Sequence, residues 1–383
     1  MTGLLILATS TASAQNSQAT KAPREDLTID PATITEPWTG DLDQMVERRI
    51  IRVLVVPNKT FYFNDKGTQR GATYDAFQLM ETELNARLKR EKKLDRKNLT
   101  VKFFFVPVRR DDLLPALVAG KGDIAAANLT ITPQRAELVD FAAPHTTNVN
   151  QVVVTGTASP VLSTINDLSG REVFVRKSST YYESVVELNT RLATEKRPLV
   201  QLKDAPEELE DEDLVEMINA GLIGTVILDK HVADFWKKVF PKIKVYDAIP
   251  LRTGGDIAWA IRKNSPQLKE ALDRAVASFT SGRYAARRQQ ILARYLQRLT
   301  YVKNAASDAE RRKFLAVMDL FRKYGDRYDV DSLLMSMAEI TAVMVCCLAL
   351  VPPEWTCPDG VVVFTVVSTP GSLFGFMAMT MVS

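Results

Sequence analysis

The sequence predicts an α/β protein of two lobes, because a strand, a polar turn and a helix follow one another twice. The first unit is a buried strand at 123–127, a polar turn and a helix with Thr132 as its N-cap. The second unit is a strand at 171–175, the hydroxyl-rich run 176–180 and a helix from Tyr181. Each unit brings the free N–H groups of a helix N-terminus to the end of a strand, which suits an anion.

Hydrophobic periodicity predicts further elements around these units. Apolar runs predict buried strands at 49–57, 101–108, 151–155, 221–229 and 256–262. Apolar positions at helical spacing predict helices at 74–88, 113–118, 265–282 and 284–296. A turn signal at 64–67 predicts a hairpin. Residues 245–250 return the chain to the first lobe, and two crossings between lobes imply a hinge.

Composition narrows the function classes. The chain has 383 residues, is 46% hydrophobic and 25% charged, and carries a formal net charge of +3, which fits two or three soluble globular domains. No basic run is interleaved with aromatic residues, so we expect no nucleic-acid partner. The cysteines (Cys346, Cys347 and Cys357) and the histidines (His145 and His231) have no metal-ligand spacing, so we expect no metal and no cofactor.

The N-terminus has features of an export signal. An apolar core at 4–8 precedes an A-x-A-like cleavage site at 12–14, although no basic residue comes before the core. A disordered apolar tail is the alternative interpretation. We therefore expect a signal peptide at 1–14 with its basic region missing, followed by a Pro/Thr-rich linker at 15–47.

The run LLPALVAGKGDIAAANLTITPQRAELVDFAAP at 113–144 resembles the signature segment of the family 3 periplasmic solute-binding proteins, the amino-acid receptors of ABC importers. The resemblance extends over about 48–298. It implies the two-lobed periplasmic binding protein fold of type II. Lobe 1 would hold residues 48–148 and 247–298, and lobe 2 would hold residues 149–246.

The resemblance also implies a carboxylate site in lobe 1. In that family a threonine and an arginine of this segment hold the ligand's α-carboxylate, and the matching positions are Thr130 and Arg135, with Asn128 lining the site. An arginine fork beside a helix N-terminus suits this role. Judged by local chemistry alone, Thr132 could be only a capping residue and Arg135 a solvated charge.

In lobe 2 the resemblance implies that Ser179 and Thr180 complete the carboxylate site, although Ser178 stands where the family usually has glycine. Simple N-capping is the alternative for both residues. It further implies that Asp229, at the end of a buried strand, takes the ligand's α-amino group. Capping of the next helix is the competing role for this aspartate.

Aromatic residues after the first strand occupy the places where the family stacks a ring on its ligand. Phe61 or Tyr62 would then contact the ligand, whereas a core position is the alternative and the better interpretation for Phe63. The acidic run at 204–213 is expected to be a solvated loop or helix start without a role in the site.

Beyond the receptor-like region, the run at 310–335 resembles the start of the murein-cleaving domain of the membrane-bound lytic transglycosylase F family. This implies a short helical remnant of a lysozyme-like domain at 299–339. Such enzymes need a glutamate as general acid and then base, within a glutamate-serine pair. No such pair follows, and Glu339 is only a weak candidate. A divergent apolar tail would occupy 340–383, with a membrane anchor as a less favoured interpretation.

The predicted function is therefore binding, with no catalytic residue assigned. We expect the sensory module of a lytic transglycosylase F-like protein, which closes on an amino acid or a murein peptide through its α-carboxylate and α-amino groups. An active peptidoglycan lyase and an importer receptor are the alternatives. The family resemblance implies the periplasm, with peptidoglycan contact and outer-membrane attachment as further options.

Overall fold

A computed structural model describes residues 32–65, 67–94 and 99–296, together with the backbone of two strands near the C-terminus. The described helices are α1 (Ala32–Thr35), α2 (Leu42–Glu47), α3 (Ala72–Arg90), α4 (Leu113–Val118), α5 (Pro133–Leu138), α6 (Thr180–Thr194), α7 (Asp211–Ala220), α8 (Lys230–Val239), α9 (Pro266–Thr280) and α10 (Ala285–Leu296). The described strands are β1 (Ile50–Val55), β2 (Phe63–Asp65), β3 (Thr68–Arg70), β4 (Lys102–Pro107), β5 (Ile124–Thr130), β6 (Asp140–Phe141), β7 (Thr146–Thr155), β8 (Glu172–Val175), β9 (Gln201–Asp204), β10 (Thr225–Asp229), β11 (Lys244–Tyr246), β12 (Arg252–Ile261), β13 (Val362–Val367) and β14 (Phe376–Met381).

Several sequence-based expectations fall outside the described residues. They are the signal peptide at 1–14 and the helical remnant at 299–339 with Glu339. Within the expected tail at 340–383, only the backbones of β13 and β14 are described, and these two strands pair antiparallel. In the described part of the chain, no helix combines the length and the apolar character needed to cross a bilayer.

Ten strands form one mixed sheet in the order β4-β1-β5-β12-β7-β10-β8-β9, with β6 beside β12 and β11 beside β7. Strand β1 runs parallel to β4 and β5, and β8 runs parallel to β9 and β10. Strands β7 and β12 pair antiparallel between these two parallel groups. We call the part built on β1, β4 and β5 lobe 1, and the part built on β8, β9 and β10 lobe 2. The α/β class predicted from the sequence is confirmed.

Each lobe has its own hydrophobic core. In lobe 1, Phe77 of α3 packs at 4.6 Å between ring centroids against Trp259 of β12. In lobe 2, Trp236 of α8 stacks on Phe240 at 5.7 Å. Strands β1 and β10 are buried at every position because helices cover both faces of a parallel sheet, and this produced their continuous apolar runs.

Residues 36–47, expected as the end of a linker, pack against lobe 1. Leu42 and Met45 of α2 are buried in its core. Arg52 of β1 donates from Nη1 to the carbonyl of Glu36 at 2.8 Å and from Nη2 to that of Trp38 at 3.0 Å. The folded part of the chain therefore begins before residue 48.

A fully buried carboxylate, Asp123, anchors this packing. It lies 2.6 Å from Nη2 of Arg48, 3.0 Å from Nη2 of Arg52 and 3.4 Å from Nη2 of Arg262. The backbone N–H of Arg52 also donates to it at 2.7 Å. One carboxylate thus holds three arginines from α2's C-terminal end, β1 and the end of β12 in one arrangement.

Candidate ligand-binding site

A cavity of about 230 Å³ is lined by residues of both lobes. All seven residues predicted to contact a ligand line it, namely Phe61, Asn128, Thr130, Arg135, Ser179, Thr180 and Asp229. Strand ends supply three of them, because β5 ends at Thr130, two residues after Asn128, and β10 ends at Asp229. The carboxyl ends of strands in an α/β sheet open into one crevice, which explains their meeting.

Arg135 is half-buried in the first turn of α5, and its guanidinium joins the two lobes. Thr132 is the N-cap of α5, since its hydroxyl accepts the Arg135 backbone N–H at 3.3 Å. The Arg135 side chain donates to the carbonyl of Thr130 at 3.0 Å and to that of Ser178, across the cavity, also at 3.0 Å. Burial lowers the pKa of Arg135. Within the described residues it forms no ion pair, and its side-chain hydrogen bonds go to neutral carbonyls, although the charges of Glu183 and Asp229 partly offset the effect of burial on its pKa.

Asp229 is the anionic counterpart of this arginine. It is 2% exposed, and its carboxylate accepts from Nδ2 of Asn128 at 3.2 Å across the lobes. It makes no side-chain capping bond to α8, so the competing role as helix cap is not observed. Burial raises the pKa of Asp229 to about 7; Asp211 adds to the rise, and hydrogen bonds from Asn128 and Tyr181 offset part of it.

Ser179 and Thr180 begin α6, and the hydroxyl group of each forms hydrogen bonds with other residues of the protein. Ser179 is the N-cap, accepting the Tyr182 N–H at 3.2 Å and donating to the carbonyl of Arg176 at 2.7 Å. The hydroxyl of Thr180 accepts from Nε2 of Gln151 on β7 at 3.1 Å. The capping alternative therefore describes Ser179, while Thr180 fastens α6 to a strand that joins the lobes.

In the loop before α6, Ser178 binds a carboxylate of the protein itself. Its backbone N–H donates to one carboxylate oxygen of Glu207 at 3.0 Å, and its hydroxyl donates to the other at 2.5 Å. The loop that was expected to receive a ligand carboxylate thus holds a carboxylate of its own lobe. Arg135 remains the cationic group on this side of the cavity without an acidic partner among the described residues.

The three aromatic residues after β1 have different surroundings. Phe61 is half-buried and lines the cavity, whereas Tyr62 is buried and stacks on Phe105 at 5.6 Å. Phe63 packs edge-on against Tyr295 at 6.1 Å. Of the two rings considered for stacking on a ligand, Phe61 is therefore the one in position.

The expectation that residues 204–213 form a solvated acidic stretch is wrong for its C-terminal end. Glu210 is 5% exposed and lines the cavity. Arg110, from the loop after β4, donates from Nε to Oε1 of Glu210 at 2.7 Å and from Nη2 to Oε2. The burial is possible because an arginine of the opposite lobe neutralises the carboxylate.

Asp211, the residue after Glu210, is also paired with an arginine. Arg176 donates from Nη2 to Asp211, and Tyr181 donates to the other oxygen of Asp211 at 3.1 Å. Burial alone would lower the pKa of Arg176, but the carboxylates of Asp211 and Glu210 outweigh it and raise it. Glu210 and Asp213 form a capping box at the start of α7. An acidic run before an apolar helix indicates such a box, but it does not reveal arginines from a distant segment.

The cavity wall therefore combines satisfied ion pairs with charged groups that lack an ionic partner, among them Arg135 and Asp229. Arg110 and Arg176 each face a carboxylate. The guanidinium of Arg135 and the carboxylate of Asp229 have only neutral hydrogen-bond partners among the described residues. Chemically, such a wall complements a small molecule with one anionic and one cationic end.

Residues 51–297 match the bacterial extracellular solute-binding proteins, family 3. The chain belongs to this family. The match includes both lobes and every residue predicted to contact a ligand.

Among proteins similar to this family 3 chain are two membrane-bound lytic murein transglycosylases F. The protein from Pseudomonas fluorescens is 28% identical over 232 residues, which are 60% of this chain and 42% of that protein. The protein from Idiomarina loihiensis is 26% identical over 250 residues, which are 64% of this chain and 49% of that protein. The chain thus spans less than half the length of these curated relatives.

Solved structures similar to this family 3 chain include an ancestral arginine-binding protein bound to arginine, with a TM-score of 0.50 and 23% identity over 64% of this chain and 97% of the other. An amino acid ABC transporter substrate-binding protein from Streptococcus pneumoniae bound to L-arginine has a TM-score of 0.54 and 18% identity over 67% of this chain and 100% of the other. These similarities confirm the predicted periplasmic binding protein fold.

Proposed function

We propose that this chain is a periplasmic module that binds a free amino acid between its lobes, with the α-carboxylate at Arg135 and the α-ammonium group at Asp229. The observation that carries the proposal is the pair of opposite charges in one cavity, each without a charged partner among the described residues. A zwitterion would satisfy both at once.

The energetic argument follows from the cost of burying a charge. A buried ion is stable only when it is paired and hydrogen-bonded. An α-carboxylate would accept charge-assisted hydrogen bonds from the guanidinium of Arg135, and an α-ammonium group would donate to Asp229. Burial and the charge of Asp211 raise the pKa of Asp229, and a ligand ammonium group beside the carboxylate would lower it again.

The size of the cavity favours a single amino acid over a murein peptide. A volume of about 230 Å³ lies below the roughly 300–1,000 Å³ that is usual for small-molecule pockets. A ligand of about ten non-hydrogen atoms fits this space. A murein peptide of several residues would need the lobes to stand further apart.

Closure of the lobes would complete the site. Contacts that join lobe 1 to lobe 2 around the cavity include Arg110 to Glu210, Asn128 to Asp229, and Arg135 to the Ser178 carbonyl. We propose that β7 and β12, through which the chain passes between lobes, serve as the hinge. Of the predicted lobe bounds, 148/149 falls within β7, and 246/247 falls between β11 and β12.

A binding screen tests the amino-acid proposal. Thermal unfolding of the full chain is followed with each proteinogenic amino acid, and a true ligand raises the melting temperature by mass action. The Arg135→Ala variant should lose the increase, whereas Arg197→Ala, which changes an exposed arginine, should keep it. If no amino acid raises the melting temperature, the proposal is wrong.

We further propose that the module senses the ligand for a lytic transglycosylase F-like envelope protein, which the names of the two relatives support. Release of 1,6-anhydromuropeptides from murein sacculi tests whether the chain itself cleaves murein. We expect no release above that of a Glu339→Ala control. Release well above that control would establish a lyase instead.

A further inference from the structure

Glu212 is a buried carboxylate in the cavity wall whose charge is poorly compensated. It is the second residue of α7, is 4% exposed and lines the cavity. Its described hydrogen-bond donor is the backbone N–H of Lys59, from the loop after β1. A backbone donor and the N-terminus of α7 supply only partial positive charge. No side chain of the described residues donates to this carboxylate.

The nearest cation does not neutralise Glu212. The ammonium group of Lys59 lies 3.0 Å from Asp213 and 3.2 Å from Glu216, so its single charge is already shared by two other carboxylates. The arginines nearby are likewise engaged, Arg110 by Glu210 and Arg176 by Asp211. The start of α7 therefore carries five carboxylates against three cations.

The pKa of Glu212 fits this imbalance. Burial raises it to about 8, with Asp213 and Glu210 adding to the rise and Lys59 offsetting part of it. The carboxylate of Glu212 thus lacks a cationic partner that a ligand could supply.

We infer that Glu212 receives a second cationic group of the ligand, so that the cavity selects amino acids with a positively charged side chain. This inference rests on the amino-acid function proposed above. Asp229 and Arg135 would hold the α-ammonium and α-carboxylate groups, and the side chain would extend along the cavity to α7. The ligand class is therefore basic amino acids such as L-lysine, L-ornithine and L-arginine.

Isothermal titration calorimetry of the full chain with L-lysine and L-norleucine tests the inference, because norleucine has a similar side chain without the terminal amine. We expect L-lysine to bind at least about tenfold more tightly, a modest value for pairing a buried charge. The variant Glu212→Gln should remove this preference, so that the ratio of lysine affinity to norleucine affinity falls to about one. The variant Glu172→Gln, which makes the same change at an exposed ion pair of lobe 2, should keep the preference.

The possible outcomes separate the two proposals. Equal affinity of the wild-type chain for lysine and norleucine would overturn the role of Glu212 and leave amino-acid binding intact. A lysine preference that survives in Glu212→Gln would overturn it as well. No binding of any amino acid would overturn both proposals. The wild-type comparison decides the ligand class even if Glu212→Gln does not fold.

Discussion

Arg110 of lobe 1 and Glu210 of lobe 2 form a two-pronged ion pair across the cavity, with Nε of the arginine 2.7 Å from Oε1 of the glutamate. Both side chains are largely buried, at 14% and 6% exposure. The arginine also donates to the carbonyl of Ala127 at 3.0 Å, so it ties β5 to the start of α7. The pair therefore couples the two lobes at the place where a ligand would bind.

Removing one member of this pair should lower the free energy of unfolding more than removing both members. Arg110→Ala should lower the free energy of unfolding by about 3–5 kcal/mol, because it leaves a buried carboxylate without its partner. The double variant Arg110→Ala/Glu210→Ala should recover part of this loss. Urea denaturation of the single and double variants measures the coupling.

Arg109 supplies the control for this comparison of the single and double variants of Arg110 and Glu210. It is half-exposed and pairs with Asp111 at 2.9 Å and with Glu208 at 3.0 Å. Arg109→Ala should leave the free energy of unfolding nearly unchanged, because exposed pairs contribute little. Strict additivity of the Arg110 and Glu210 effects would contradict the proposed coupling.

Asp229→Asn should distinguish ligands by their amino group. The amide keeps the size of the side chain and its contact with Asn128, but it lacks the charge that an ammonium group needs. We expect affinity for a free amino acid to fall at least about 30-fold, and affinity for its N-acetyl derivative to change little. Calorimetric titration of both ligands measures this. An equal loss for both would exclude Asp229 as the ammonium site.

The raised pKa values of Asp229, about 7, and Glu212, about 8, predict how stability depends on pH. Between the ordinary carboxyl pKa near 4 and these values, the folded state binds more protons than the unfolded state. Burial lowers the pKa values of His145 and His231 to about 3 and 4, so below their ordinary value near 6.5 these two groups act in the opposite direction. The free energy of unfolding of the ligand-free protein should therefore fall as the pH rises from about 6.5 to 8.

Asp229→Asn removes one of these two carboxyl groups, so between about pH 4 and pH 7 the free energy of unfolding of the variant should fall less, or rise more, with pH than that of the wild-type chain. Ligand affinity should show the opposite trend in the wild-type chain and rise through about pH 7, since the ammonium group needs the carboxylate. Urea unfolding at a series of pH values measures the first effect. The same pH dependence in the wild-type chain and in Asp229→Asn would show that the pKa of Asp229 is not raised.

Asp123→Asn should strongly destabilise lobe 1. The variant leaves Arg48, Arg52 and Arg262 close together without their common anion, which should cost about 3–5 kcal/mol. Asp140→Asn is the matched control, because Asp140 is 43% exposed and pairs with Lys263 at the surface. The difference between the two variants in urea denaturation measures the effect. Equal effects of the two variants would mean that the arginine cluster is stabilised by its carbonyl contacts alone.

Local patterns predicted much of the fold. The apolar runs at β1 and β10 identified strands that are covered on both faces. The Thr132-Pro133 pair identified the start of α5, because an N-cap hydroxyl followed by proline is a local signal. Resemblance then directed attention to residues that do line one cavity, including Asn128, which adopts a left-handed conformation with φ of 54°.

Contacts between distant segments could not be predicted in this way. Glu210 and Glu212 looked like solvated charges because their partners, Arg110 and the backbone of Lys59, lie 100 residues or more away in the sequence. Likewise, the segment around Trp38 resembled a linker because its anchor is the side chain of Arg52, whose role depends on packing. Charge and periodicity describe the segment that contains a residue, whereas the burial of that residue depends on the distant segments that pack against it in the fold.

The central claim is that this cavity holds an amino acid by its α-carboxylate at Arg135. Isothermal titration calorimetry of the full chain with the best-binding free amino acid and with its α-carboxamide tests it most directly. We predict saturable binding of the free acid, at least about 30-fold weaker binding of the amide, and a comparable loss of free-acid affinity in Arg135→Ala. Equal affinity for acid and amide, or wild-type affinity in Arg135→Ala, would contradict the claim.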